Sequence, residues 1–209
     1  MRRKKIFITT AVITLAVLTV ITAFAYFTKV INTRDNSVTI GYDSVEIVEE
    51  FVPPEKQTEI TTYKKAVSVK NNGTVPCYAR VYVEFSDSEI CDISYFAQSE
   101  TGSYYSASKD SANPDSYIIH LPENWIFVPE SEGEKLGGYY YYTKVLAPED
   151  STSLLFSHVK TDYTGSEIGI RQYDIIVYAE SLQTVTSDSV DHSGETDGWR
   201  TAWTEFLAD

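Results

Sequence analysis

The segment from Lys65 to Phe85, KAVSVKNNGTVPCYARVYVEF, constrains the fold of this chain more than any other stretch. Val67 and Val69 alternate with polar residues, which is typical of a strand with one solvated face. The link at residues 71–74 contains Asn and Gly, which tolerate the positive φ that a reversal needs. After the link, every second residue is apolar: Cys77, Ala79, Val81, Val83 and Phe85. Two such strands joined by a short polar link predict an antiparallel β-sandwich.

The rest of the chain adds strand candidates on both sides of this segment. Tyr139–Leu146 is aromatic or β-branched on both faces, and adjacent apolar residues at 175–177 predict burial on both faces of the last strand. Residues 87–114 are rich in Ser, Asp, Gly and Tyr, which predicts an insertion or a long loop. The other strand candidates are Ser37–Ile40, Tyr42–Phe51, Tyr117–Leu121, Trp125–Val128, Ser153–Lys160 and Gly169–Gln183. We therefore predict an all-β chain whose sandwich domain, immunoglobulin-like or jelly-roll, spans residues 42–183.

A helical period appears only at the C-terminal end, within residues 184–209. Trp199, Trp203 and Phe206 lie at i, i+4 and i+7, so they form one apolar stripe of a short amphipathic helix. Asp197 stands where an N-cap residue belongs. We expect all three aromatic side chains of the stripe to dock on the sandwich.

The N-terminal residues have the pattern of an export signal. A basic start, MRRKK, precedes an apolar run from Ile6 to Phe27. Ala23 and Ala25 are small residues at the positions that a signal peptidase reads, so cleavage before Tyr26 is expected. The alternative is an uncleaved membrane anchor, because roughly 20 apolar residues can span a bilayer. In both cases the residues after Tyr26 are predicted to lie outside the cytoplasm, secreted or at the cell surface.

Charge excludes one class of partner. Removal of residues 1–25 leaves 13 Lys and Arg against 30 Asp and Glu, a net charge of −17. Such a surface repels nucleic acid and anionic lipid headgroups.

The two cysteines, Cys77 and Cys91, could pair in an exported protein. A hairpin turn at Ser86–Glu89 would instead set Cys77 opposite a residue near Gln98, which argues against a disulfide.

The order of these features resembles that of a known family. Ala25-Tyr26-Phe27-Thr28 follows the apolar run, and Asn36–Gly41 reads Asn-x-Val-Thr-x-Gly. These features resemble those of exported proteins with a SipW-type signal peptide. The resemblance extends to three later segments: the strand pair VKNNGTVPCYARVYV, the segment YYYYTKVLAPEDSTSLLFSHV, and the closing VYAESLQ with its Trp-rich helix. That group includes camelysin and the TasA-like biofilm matrix proteins. The resemblance implies a β-sandwich or jelly-roll, export by the general secretory route and a surface or matrix role.

No residue pattern predicts a catalytic set, a cofactor site or a metal site. The three histidines, His120, His158 and His192, are far apart and no H-E-x-x-H occurs, so a camelysin-like metalloprotease is only an alternative. An acidic loop (Asp188, Asp191, Glu195 and Asp197) lacks the order of an EF-hand and is expected to be solvated rather than a calcium site. The 16 tyrosines leave a carbohydrate- or partner-binding module as the other alternative.

The function we expect is therefore structural and non-enzymatic, in a biofilm-type matrix or at the cell surface. In the TasA-like proteins that the chain resembles, subunits join into fibres, and a freed N-terminal segment can complete a neighbour's sheet. Residues 26–41 have suitable ingredients in Tyr26, Val38 and Ile40. The alternative is that these residues fold back as an edge strand of their own domain, which would leave a monomeric surface protein. The expected partners are copies of the chain itself or sibling exported proteins and the signal peptidase, and a polysaccharide is a further candidate.

Overall fold

The computed structural model describes residues 42–108, 121–130, 135–186 and 189–208, which belong to one compact unit spanning residues 41–209. Two antiparallel sheets pack together and a short helix closes the chain, which confirms the predicted all-β sandwich. The predicted segments 1–25 and 26–41, the strand Ser37–Ile40 and residues 117–120 lie outside the described residues. The elements are β1 (Val45–Val52), β2 (Ile60–Asn71), β3 (Cys77–Phe85), α1 (Ser88–Asp92), β4 (Ser94–Ala97), β5 (Tyr104–Ser106), β6 (Trp125–Val128), β7 (Tyr139–Leu146), β8 (Phe156–Asp162), β9 (Ile175–Gln183) and α2 (Gly198–Ala208).

The two sheets divide the strands in an order that is not the chain order. The five-stranded sheet runs β1-β2-β8-β4-β5, and the four-stranded sheet runs β6-β7-β3-β9. Between them lies a core of alternating apolar residues, since each strand turns every second side chain inward. Its members include Val67, Val69, Ala79, Val81, Phe96, Phe127, Tyr140 and Phe156.

The link between β2 and β3 carries the chain from one sheet to the other. Gly73 does not have the positive φ that the sequence suggested. A Cβ atom at Gly73 would lie 2.5 Å from the carbonyl oxygen of Tyr42 and 2.8 Å from the amide nitrogen of Ser44. Glycine is therefore needed here because the start of β1 packs directly on the link. Asn71 is fully buried, and its Nδ2 donates to the carbonyl oxygens of Val75 and Leu146 at 2.9 and 3.0 Å.

Both cysteines are free, but the register predicted for Cys77 was wrong. Cys77 lies opposite Leu146 on β7 and Gln183 on β9, not opposite Gln98. The reason is that β4, which precedes Gln98, belongs to the other sheet. Burial raises the pKa of the Cys77 thiol to about 12, so it behaves as a small apolar group of the core.

The stretch predicted to be a long loop contributes three regular elements. Asp87 caps α1 by accepting hydrogen bonds from the amides of Glu89 and Ile90, and β4 and β5 extend the five-stranded sheet. Phe96 of β4 stacks on Phe156 with ring centroids 4.2 Å apart. Sequence periodicity does not detect these short elements, because each has few apolar residues and is surrounded by Ser and Gly.

The last strand also differs from the expectation. β9 begins at Ile175 rather than Gly169, and the longest strand is β2, with 12 residues. Burial on both faces of β9 was wrong, since the side chains of Ile176 and Tyr178 are 38% and 53% exposed. β9 forms one edge of its sheet, so its adjacent apolar residues divide between the core and the outer face.

Candidate functional surface

The outer face of the four-stranded sheet is partly covered by the C-terminal helix α2. Trp199 and Trp203 are 2% and 1% exposed, and they pack on Tyr141 of β7 with ring centroids 4.9 and 6.1 Å away. Tyr141 faces outward because Tyr140 and Tyr142, its neighbours on β7, face the core. The aromatic run 139–142 thus contributes side chains both to the core between the sheets and to the contact with α2.

Phe206 departs from the predicted docking. Its side chain is 55% exposed, and its ring contacts that of Trp203, edge to face at 6.0 Å. The helical period correctly aligns Phe206 with the stripe. It does not tell how far along the helix the underlying sheet extends, and Phe206 lies in the last turn.

A buried arginine fixes the helix to the sheet. The guanidinium of Arg80 lies between the rings of Tyr139 and Trp203, 4.0 and 4.2 Å from their centroids. It forms an ion pair with Glu180 of β9 at 2.6 Å and donates to the hydroxyl of Tyr141 at 3.2 Å. Flat stacking on aromatic faces and a carboxylate partner offset the cost of burying this charge. Sequence reasoning assigned Arg80 to a solvated face, although its tyrosine neighbours on β3 hinted at a cover.

His192 is the second group that joins the helix to the sandwich, and sequence reasoning missed it. Its ring is buried, with Nδ1 3.0 Å from Glu195 Oε1 and Nε2 3.0 Å from Glu205 Oε2. Ionised carboxylates can only accept hydrogen bonds, so this arrangement favours the charged imidazole, in which both ring nitrogens donate. The hydroxyl of Tyr78 donates to the carbonyl oxygen of His192 at 2.9 Å. The loop before α2 is therefore attached both to β3 and to the helix itself.

The pKa of His192 follows from this geometry. Burial lowers it, but the hydrogen bonds and charges of Glu195 and Glu205 outweigh burial and raise it above the ordinary value. The charge of His192 in turn is one cause of the lowered pKa of Asp191, after the hydrogen bonds from Ser193. A raised pKa in the folded state means that folding stabilises the protonated ring.

We expect stability to fall as the pH rises through the His192 pKa. The contribution is complete below the unfolded-state pKa of about 6.5 and is lost above the folded-state pKa, at no more than about 1.4 kcal/mol per pH unit for one proton. Urea unfolding across the neutral to alkaline range measures this slope. His192→Gln should remove this pH dependence. His158→Gln is the control and should keep it, because the His158 ring contacts the hydroxyl of Ser157, at 2.8 Å, and not a carboxylate pair. Equal slopes in the two variants would contradict the assignment.

Two carboxylates of the acidic loop form hydrogen bonds within the fold. Asp191 accepts a hydrogen bond from the amide of Ser193 at 2.9 Å, and Glu195 binds His192. Asp197 comes directly before α2, while Asp188 and His120 lie outside the described residues. Within the described ranges, no three His, Cys, Asp or Glu residues are grouped to hold a metal ion.

The free edge of the five-stranded sheet is the other notable surface. Among the described residues, β1 pairs with β2 on one side only, and Val48, Phe51 and Val52 are about half exposed. Two of its carboxylates, Glu49 and Glu50, form ion pairs of 2.7 and 2.6 Å with lysines of β2. The edge therefore combines unpaired main-chain groups with apolar side chains, and much of its charge is neutralised within the sheet.

The expected signal-cleavage residues Ala23, Ala25 and Tyr26 lie outside the described residues. Over the part of the chain that the structure describes, no helix is long and apolar enough to cross a membrane. Comparisons with protein-family models and with curated proteins find no match for this chain.

Proposed function

We propose that this chain is an exported, non-enzymatic structural protein of the cell surface or extracellular matrix. In this proposal, subunits assemble when residues 26–41 of one copy add a strand to the sheet edge of another. The observation that carries the proposal is the edge of β1 that no other described strand pairs with, where Val48, Phe51 and Val52 are exposed.

An added strand would gain two kinds of contact at β1. Its main chain would pair with the amide and carbonyl groups that β2 does not use, and its alternate side chains would cover the exposed apolar residues. The donated segment has its own alternation at Val38 and Ile40. Lys64 and Lys65 already neutralise two glutamates of β1, so the local repulsion against an incoming strand is reduced.

The overall charge works in the opposite direction. The exported part has a net charge of −17, counted as 13 basic against 30 acidic residues, and like charges oppose close association. Salt screens exposed charges beyond roughly 8–10 Å at physiological strength, and acid neutralises carboxylates. Assembly should therefore be favoured by added salt and by lower pH.

We expect sedimentation velocity to distinguish this assembly from a monomer. The chain that begins at Tyr26 should form larger species as salt is added or pH is lowered, whereas a chain that begins at Tyr42 should stay monomeric. A charge placed on the edge, Val48→Lys, should also prevent assembly, because a buried lysine opposes strand addition. Ile170→Lys is the matched control, since Ile170 is equally exposed but lies outside the strands.

Two results would overturn the proposal. If the chain from Tyr26 stays monomeric under every condition, the segment does not assemble the protein. If Ile170→Lys blocks assembly as strongly as Val48→Lys, the effect is one of net charge and not of the β1 edge. The N-terminus of protein recovered from culture, read by mass spectrometry, establishes first whether chains beginning at Tyr26 exist.

A further inference from the structure

The outer face of the four-stranded sheet continues beyond the area that α2 covers. Three tyrosines from adjacent strands form one row on it: Tyr139 of β7, Tyr82 of β3 and Tyr178 of β9, named here the tyrosine row. Tyr82 lies directly opposite Tyr178 in the strand register. The rings of Tyr82 and Tyr139 are 5.4 Å apart. Neighbouring strands are separated by about 4.8 Å, so the row is roughly 10 Å long.

The row is held firmly at one end and open at the other. Tyr139 stacks on the guanidinium of Arg80, which is itself fixed by Trp203 and Glu180. Tyr82 and Tyr139 are half-buried, whereas Tyr178 is 53% exposed, beside the exposed Ile176. A ring that is already held in place, such as Tyr139, loses little conformational entropy when a ligand contacts it.

Two carboxylates accompany the row. Burial, then the charges of Glu84 and Glu130, raise the pKa of the Tyr82 hydroxyl, so both glutamates act on that end of the ring. Both are exposed, and within the described ranges neither has a cationic partner. Carboxylates accept hydrogen bonds from hydroxyl groups and from ammonium groups. The surface thus offers stacking faces together with unneutralised negative charge.

We propose that the tyrosine row binds a polysaccharide of amino sugars with free ammonium groups. The apolar faces of successive sugar rings would stack along the tyrosines, and a length of roughly 10 Å accommodates about two rings. The ammonium groups would reach Glu84, Glu130 and the tyrosine faces, which attract cations. The chain's net charge of −13 excludes acidic polysaccharides from the same surface. This proposal does not depend on assembly through β1.

Isothermal titration calorimetry with the purified protein tests the site. The probes are a β-linked glucosamine hexamer, its fully N-acetylated form and a hexapeptide of lysine, all at the same mildly acidic pH. We expect the glucosamine hexamer to bind and Tyr178→Ala to weaken it about tenfold, the loss of one stacking contact. Tyr42→Ala is the control, since Tyr42 is 57% exposed and lies outside the row.

The carboxylates are tested separately. Glu84→Gln combined with Glu130→Gln should weaken the glucosamine hexamer but leave any binding of the N-acetylated hexamer unchanged. The proposal fails if the glucosamine hexamer does not bind, or if Tyr178→Ala and Tyr42→Ala bind it equally well. It also fails if the lysine hexapeptide binds as tightly as the sugar and Tyr178→Ala changes neither, because charge alone would then explain the binding.

Discussion

Replacing Trp203 with alanine should lower the free energy of unfolding by about 3–5 kcal/mol, the range for large aromatic residues deleted from a core. Trp203 is the largest fully buried side chain of the described residues. Its ring packs on Tyr141 and covers the guanidinium of Arg80 at 4.2 Å. The substitution therefore leaves a cavity and also exposes a stacked, buried charge to an empty space.

Urea unfolding followed by circular dichroism measures the loss, and two variants calibrate it. Phe206→Ala, on the same helix but half exposed, should cost less than about 1 kcal/mol. Trp203→Phe should lower the free energy of unfolding less than Trp203→Ala, because a phenyl ring still fills part of the site. No hydrogen bond is lost, because the indole N–H of Trp203 has no acceptor among the described residues. A Trp203→Ala protein as stable as Phe206→Ala would show that α2 does not stabilise the sandwich.

The docking of α2 shows how far sequence periodicity reaches. A spacing of i and i+4 places Trp199 and Trp203 on one face, and the structure buries both. The helical periodicity of the apolar residues does not reveal contacts with polar residues from another part of the chain. Arg80 is 119 residues before Trp199 and His192 lies in a polar loop, so neither could be assigned to the helix contact from local pattern.

Strand pairing shows a second limit. β2 and β3 are strands as the alternation predicts, but the sequence did not show that the short link between them joins two different sheets. At this link, Gly73 allows the start of β1 to pack on the chain, and Asn71 donates to the carbonyl oxygens of Val75 in the link and Leu146 of β7. Both are tertiary contacts, and a link of the same length and composition could equally form a hairpin.

The tyrosine row depends on the same kind of information. Alternation predicts that two of the four tyrosines at 139–142 face outward, as Tyr139 and Tyr141 do. The strand order brings Tyr82 and Tyr178 beside Tyr139, and of the three only Tyr178 is more than half exposed. The candidate ligand surface is thus a product of long-range register, for which a single sequence has no local signal.

Gly198→Ala tests whether the junction of loop, helix and sheet is as close as the structure shows. Helix propensity alone predicts a gain, because alanine is favoured over glycine by about 1 kcal/mol in a helix. Gly198 has no room for a methyl group, since its Cβ would overlap the carbonyl oxygen of His192 and lie 2.6 Å from the hydroxyl of Tyr78. The start of α2 would have to move away, or the hydrogen bond from Tyr78 to His192 would break.

We therefore expect Gly198→Ala to be destabilising by about 1–3 kcal/mol or more, as in other overpacked sites. Gly194→Ala is the matched control, because it lies in the same loop and its Cβ would meet no atom within 4 Å. Urea unfolding gives both free energies, and the near-ultraviolet signal of Trp199 and Trp203 reports whether the helix has shifted. A Gly198→Ala protein that is more stable than the parent would mean that propensity outweighs packing and that α2 begins farther from β3. A loss confined to Gly198→Ala would instead show that His192 and Tyr78 fix the helix by direct contact.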